Sequence, residues 1–140
     1  GLDVAGQTER LTELTREMHE KGIRVSMFID PEQDQVEASL KAGADAVELH
    51  TGAYANAVGG EVDRELSRLW ECAEMVAEAQ LDLHAGHGLT VDNLMPVARM
   101  PMLREVNIGH DIIARAVFIG LDNAVKEIQA VLRHAEAILV

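Results

Sequence analysis

The sequence predicts an α/β fold, in which parallel strands follow one another in series and a helix returns the chain after each. Three observations carry this. Strand-length apolar runs alternate with stretches of helical period along all 140 residues. No linker or low-complexity segment interrupts the alternation, so residues 1–140 read as a single domain. The strands also share a two-sided pattern, apolar on one face and ionisable on the other.

The elements follow in order. A first helix is expected over Thr8–Glu20, with Leu11, Leu14 and Met18 on one face and Gly22 as its stop. Val25–Ile29 reads as a strand, and Asp30-Pro31 as the cap and opening of a second helix that ends at Gly43. Ala46–His50 is the second strand. A long helix carries Val62, Leu66, Leu69, Trp70, Ala73 and Ala77 at helical spacing. Leu81–Ala85 is a short third strand, followed by a weak helix near 91–98. Glu105–Ile108 is the last strand and Ile112–Phe118 a short helix. The final helix is patterned by Ala124, Val125, Ile128, Val131, Leu132 and Ala135. That makes four strand–helix units, for which parallel strands with crossover helices are the natural outcome.

Three strands place Val47 and Leu49, Leu81 and Leu83, and Val106 and Ile108 on one side, toward the helices. Glu48 and His50, Asp82 and His84, and Glu105 and Asn107 fall on the other. A fully buried open sheet is apolar on both faces. A polar face suits the interior of a barrel near an active site; the other reading is a half-sheet with one wet face.

Composition narrows the function. At 48% apolar residues the chain is not a disordered one. A formal net charge of -12 argues against a nucleic-acid partner, which needs basic patches. It leaves an anionic small substrate open, because backbone amides bind phosphate against an acidic background. The single Cys72 forms no internal disulfide, which fits a reducing cytosol. No apolar run approaches membrane-spanning length and no signal-peptide pattern opens the chain. The start at Gly1-Leu2-Asp3, without methionine, reads as a processed or truncated product.

Two strand ends stand out. Ala85-Gly86-His87-Gly88-Leu89 and Asn107-Ile108-Gly109-His110 each combine glycine with a histidine able to move protons near neutral pH. His87 suits a general acid or base; equally, it could bond a loop carbonyl. Gly109-His110 precedes a helix, where free amides and the helix dipole favour phosphate. Asp111 beside it opposes an anion unless it turns away and caps the helix. Glu48 is a carboxylate in an apolar strand, rare unless paired or functional. Its ordinary explanations are a pair with a cation such as Arg115, or exposure. The histidines show neither zinc-site spacing nor HExxH, so no metal site is expected.

With these residues in place, the chain resembles the pyridoxine 5′-phosphate synthases, the ring-closing enzymes of vitamin B6 biosynthesis. The matching stretches are Gly1–Val4, Val25–Asp30, Glu48–Gly52 with Tyr54-Ala55, Ala85–Leu89, and Asn107–His110 running into Ile112–Val117. The likeness covers essentially the whole chain in order. It implies a (β/α)8 TIM barrel, of which these residues make the last four units. It implies that His87 is the proton donor, that Gly88, Gly109 and His110 hold the phosphate of 3-amino-2-oxopropyl phosphate, and that Glu48 stabilises charge in the transition state. The second substrate is 1-deoxy-D-xylulose 5-phosphate, and the products are pyridoxine 5′-phosphate, inorganic phosphate and water. The resemblance implies a cytoplasmic transferase with no metal and no organic cofactor.

The sequence departs from the family's pattern in places. His84 stands where the family has asparagine, and Asp111 where it has a small residue. The family's other acid–base histidine and glutamate, and the arginines that grip the second phosphate, belong to an N-terminal half not represented here. The 140 residues are therefore expected to associate, with that half or as a homo-oligomer, and to be inactive alone. Two other readings remain: a non-catalytic phosphate-binding half-barrel, or another phosphate-handling barrel enzyme. An aldolase is disfavoured, since Lys21, Lys41 and Lys126 all lie on helices or their ends.

Overall fold

A computed structural model describes residues 1–138. Its strands are β1 (Ser26–Ile29), β2 (Ala46–His50), β3 (Asp82–Gly86) and β4 (Leu103–Asn107). All pair in parallel, in the spatial order β1-β2-β3-β4. Spatial order follows chain order without a reversal. That is the arrangement of a barrel segment; a doubly wound sheet has a switch point. The chain is thus an α/β protein built as part of a TIM barrel.

Helices α1 (Thr8–Glu20), α2 (Gln33–Lys41), α3 (Gly52–Asn56), α4 (Glu61–Glu78), α5 (Leu94–Ala98), α6 (His110–Ile119) and α7 (Leu121–Ile138) fill the connections. The core forms on the face where strand alternation puts apolar residues. Val47, Leu49 and Leu83 are fully buried there, with Leu69, Ala73 and Val76 of α4. Burying each such aliphatic side chain contributes about 1.5–3 kcal/mol. On the opposite face Phe28, Glu48, His50, His84, Glu105 and Asn107 are half-buried or exposed. Register aligns Phe28, Glu48, His84 and Glu105 in one row across the sheet.

Several expectations shift. Asp30-Pro31 does not cap α2, whose N-cap is Glu32. Asp30 instead bonds the His50 ring and the Gly1 amino group. On α1, Leu14 is 45% exposed and Thr15 takes its place in the core. β4 begins at Leu103, earlier than periodicity suggests. Leu83 pairs with Leu103 and His84 with Glu105, so Arg104 sits in a bulge that breaks the alternation. α3, at five residues, is too short for a periodic signal.

Candidate active site

Parallel pairing puts the C-terminal ends of all four strands on one side. His87 follows β3 directly, and His110 opens α6 after β4. The two therefore lie at the ends of adjacent strands, as expected. A cavity of about 450 Å³ opens there, lined by Phe28, Glu48, His87 to Thr90 and Asn107 to Asp111. All five sequence-predicted site residues line it: Glu48, His87, Gly88, Gly109 and His110. A larger groove of about 770 Å³ lies between α4, residues 98–106 and α7, among Trp70, Met100 and Leu132. None of the strand-end histidines lines it.

Glu48 reaches the cavity from the middle of β2. Its Oε2 accepts a hydrogen bond from Asn107 Nδ2 at 3.0 Å. Arg115 is not its partner, being paired with Glu127. Burial pushes the Glu48 carboxyl up and the nearby Glu105 charge adds to this, while His84 and Asn107 pull the other way. A carboxyl with a raised pKa is suited to hold and release a proton. Its place depends on Gly86: a Cβ there would lie 2.3 Å from Glu48 Oε1. A side chain at Gly86 would displace the Glu48 carboxylate from this position and crowd Asn107, whose Cβ and carbonyl oxygen would lie 3.1 Å away.

The loop after β3 is unusual. His87 adopts φ +79°, a region that side-chain-bearing residues seldom enter. Such backbone costs about 1–3 kcal/mol and clusters at functional sites. Thr51 holds it in place. This residue is fully buried; its hydroxyl lies 2.8 Å from the Gly86 carbonyl and 2.7 Å from that of His87. Its backbone N–H also donates to Gly86. Gly88 at φ +81° needs glycine twice over, since a Cβ would lie 2.6 Å from that of Ala55.

Gly109 serves differently. Its φ of -105° is accessible to any residue, and open space surrounds the position of a Cβ. It gives α6 no side-chain cap. The amides of the first turn, with the positive end of the helix dipole, are thus left open to an anion. Asp111 has not turned away to cap the helix. It lines the cavity, with a buried Oδ2 that has no hydrogen-bond partner.

Sequence reasoning missed His50, Thr51 and Gly52 as site components. The His50 ring packs against His87 with centroids 4.6 Å apart. The signals available were His50 on the polar face with Glu48 and Thr51-Gly52 at the end of that strand. Among the described residues no three histidine, cysteine or carboxylate side chains converge to hold a metal ion. Among them, too, no helix is long and apolar enough to cross a membrane.

Comparison with known proteins agrees with the resemblance. The family model described as "Pyridoxal phosphate biosynthesis protein PdxJ" matches residues 1–134. A pyridoxine 5′-phosphate synthase of Magnetococcus marinus is 48% identical over 136 residues, covering 96% of this chain and 56% of the relative. Proteins of the same name from a Sulfurihydrogenibium species and from Idiomarina loihiensis are 45% and 48% identical, with the same coverage. The chain thus spans little more than half the length of the curated relatives it matches.

Proposed function

Because this chain belongs to the pyridoxal phosphate biosynthesis protein PdxJ family, we propose that its strand-end cavity is part of the active site of a pyridoxine 5′-phosphate synthase. One observation carries the proposal: Glu48, His87, Gly88, Gly109 and His110, chosen from sequence, line a single cavity at the strand ends. Barrel enzymes work at that end, and often hold phosphate at the loops after the last two strands.

The reaction condenses 3-amino-2-oxopropyl phosphate with 1-deoxy-D-xylulose 5-phosphate and releases phosphate and water. Closing an aromatic ring from two ketone phosphates takes repeated proton transfers. His87 is exposed at the cavity mouth and serves as proton donor. Glu48, which lines the cavity from β2, stabilises charge in the transition state. Gly88, Gly109 and His110 hold the aminoketone phosphate through backbone amides and the α6 dipole. The remaining acid–base groups and the second phosphate grip come from strands that complete the barrel. No cofactor or metal takes part. The open edge of β4, and that of β1 beyond its one bond from the Leu2 N–H, favour that completion, and the intact enzyme is a homo-oligomer of the cytoplasm.

The test is a titration of the complete barrel with 3-amino-2-oxopropyl phosphate, followed through backbone amide resonances. The largest shifts are expected at Gly88, Gly109 and His110. Asp111→Ala should tighten binding about two- to fivefold, by removing a like charge from the helix terminus. Saturation without shifts at these amides would put the phosphate elsewhere.

A further inference from the structure

We infer that Asp30 and His50 form a positioning pair for His87: Asp30 fixes the His50 ring, and the face of that ring sets the orientation of the His87 imidazole. The inference rests on the reading of His87 as the proton donor. Proton transfer needs an imidazole aimed to within about 10–20°. Thr51 fixes the His87 backbone but not its ring, and His87 itself is exposed. Among the described residues no side chain or backbone group hydrogen-bonds the His87 ring nitrogens. What confines the ring is His50, at 4.6 Å between centroids and a tilt of 52°. Gly52 lies beneath both rings: a Cβ there would be 2.9 Å from His50 Cε1 and Nε2 and 3.1 Å from His87 Cδ2.

His50 is itself held on two sides. Phe28 meets it edge-on, with centroids 5.2 Å apart and planes at 87°. Asp30 Oδ1 lies 3.0 Å from His50 Nδ1. An ionised carboxylate only accepts, so Nδ1 carries the proton of this bond and Nε2 is the edge turned to Gly52. The three groups stand on consecutive strand ends. Ile29 aligns with Leu49 and Leu49 with Ala85, so Asp30, His50 and Gly86 share the next row. Asp30 Oδ2 also meets the Gly1 nitrogen at 3.0 Å, while Oδ1 is left to His50, and a bond to a carboxylate that is 52% exposed adds little to stability. A row that ends at Gly86, directly before the proton donor His87, explains the His50 bond better than stability does.

Steady-state kinetics in the complete barrel test the pair. The half-exposed Asp30 side chain lies outside the core, and a melting curve of each variant checks that the fold is kept. Asp30→Ala is expected to lower kcat about 10- to 100-fold while KM for both substrates stays within about twofold, since orientation is lost and not substrate contact. Asp30→Asn should recover most of that loss, because its amide oxygen still accepts from Nδ1. The double variant Asp30→Ala with His50→Ala should be no worse than His50→Ala alone, as expected of residues acting through one path. Unchanged kcat in Asp30→Ala, a rise in KM alone, or losses that multiply in the double variant would each overturn the pair. His87→Asn is measured alongside. If it keeps full turnover, the reading of His87 falls; if it is inactive while Asp30→Ala is unaffected, only the pair falls.

Discussion

At the scale of single residues, the site is a set of side chains held in costly environments. Glu48 shows this best. Burial, the largest influence, raises its carboxyl above the ordinary value, and Glu105 adds to it. A carboxyl raised in the folded state contributes stability that is fully present below its unfolded pKa and lost as pH rises through the folded one. Glu48→Gln removes the charge. It is therefore expected to raise Tm at pH 7 and to leave it unchanged near about pH 3, below the ordinary glutamate pKa of about 4.3. Melting curves at the two pH values check this; equal Tm at pH 7 would mean that the carboxylate carries no burial penalty. Glu48 and His87 were legible in the sequence because a carboxylate in an apolar strand and a histidine between glycines are local anomalies. The packing of the Glu48 carboxylate against Gly86 was not. It joins residues 38 positions apart, which only strand register brings together.

At the scale of elements, each strand end delivers one part of the site and its neighbour holds that part in place. The end of β2 supplies Thr51, whose hydroxyl meets two carbonyls of the loop after β3. Thr51→Val keeps the shape and removes the donor. It should cost about 0.5–1.5 kcal/mol, the net worth of a lost hydrogen bond, since the Gly86 carbonyl still accepts from the Thr51 N–H. It should also speed amide exchange at His87 and Gly88 more than in the core strands. Denaturant midpoints and hydrogen exchange measure both, and native-like exchange at His87 would remove Thr51 from this role. The major helices and strands were legible because their periods run for many residues. The misplaced start of β4 reflects the bulge at Arg104, and α3 escaped notice because one short turn has no period. Likewise Asp30 reads locally as a helix cap. Only the pairing of β1 with β2 shows that its partner is His50.

At the scale of the whole molecule, four parallel strands in chain order present a polar face, an open edge at β4 and an edge at β1 that meets only the Leu2 N–H. On α6, Ile113, Val117 and Phe118 are 61%, 77% and 89% exposed. A sheet of this kind finds its natural complement in the rest of a barrel, where the polar face becomes an interior. The barrel reading was legible from the two-sided strands, whereas the half-sheet alternative shares that pattern. Sequential strand order favours the barrel. The central claim is that His87 carries a proton in a cavity whose phosphate site is built separately from backbone amides. Turnover of His87→Asn in the complete barrel, measured as pyridoxine 5′-phosphate formed, tests it most directly. The predicted result is a fall in kcat of about 100-fold or more with aminoketone phosphate affinity retained, because proton transfer is lost and the anion site is not. Unchanged turnover, or an affinity that collapses together with it, would contradict the claim.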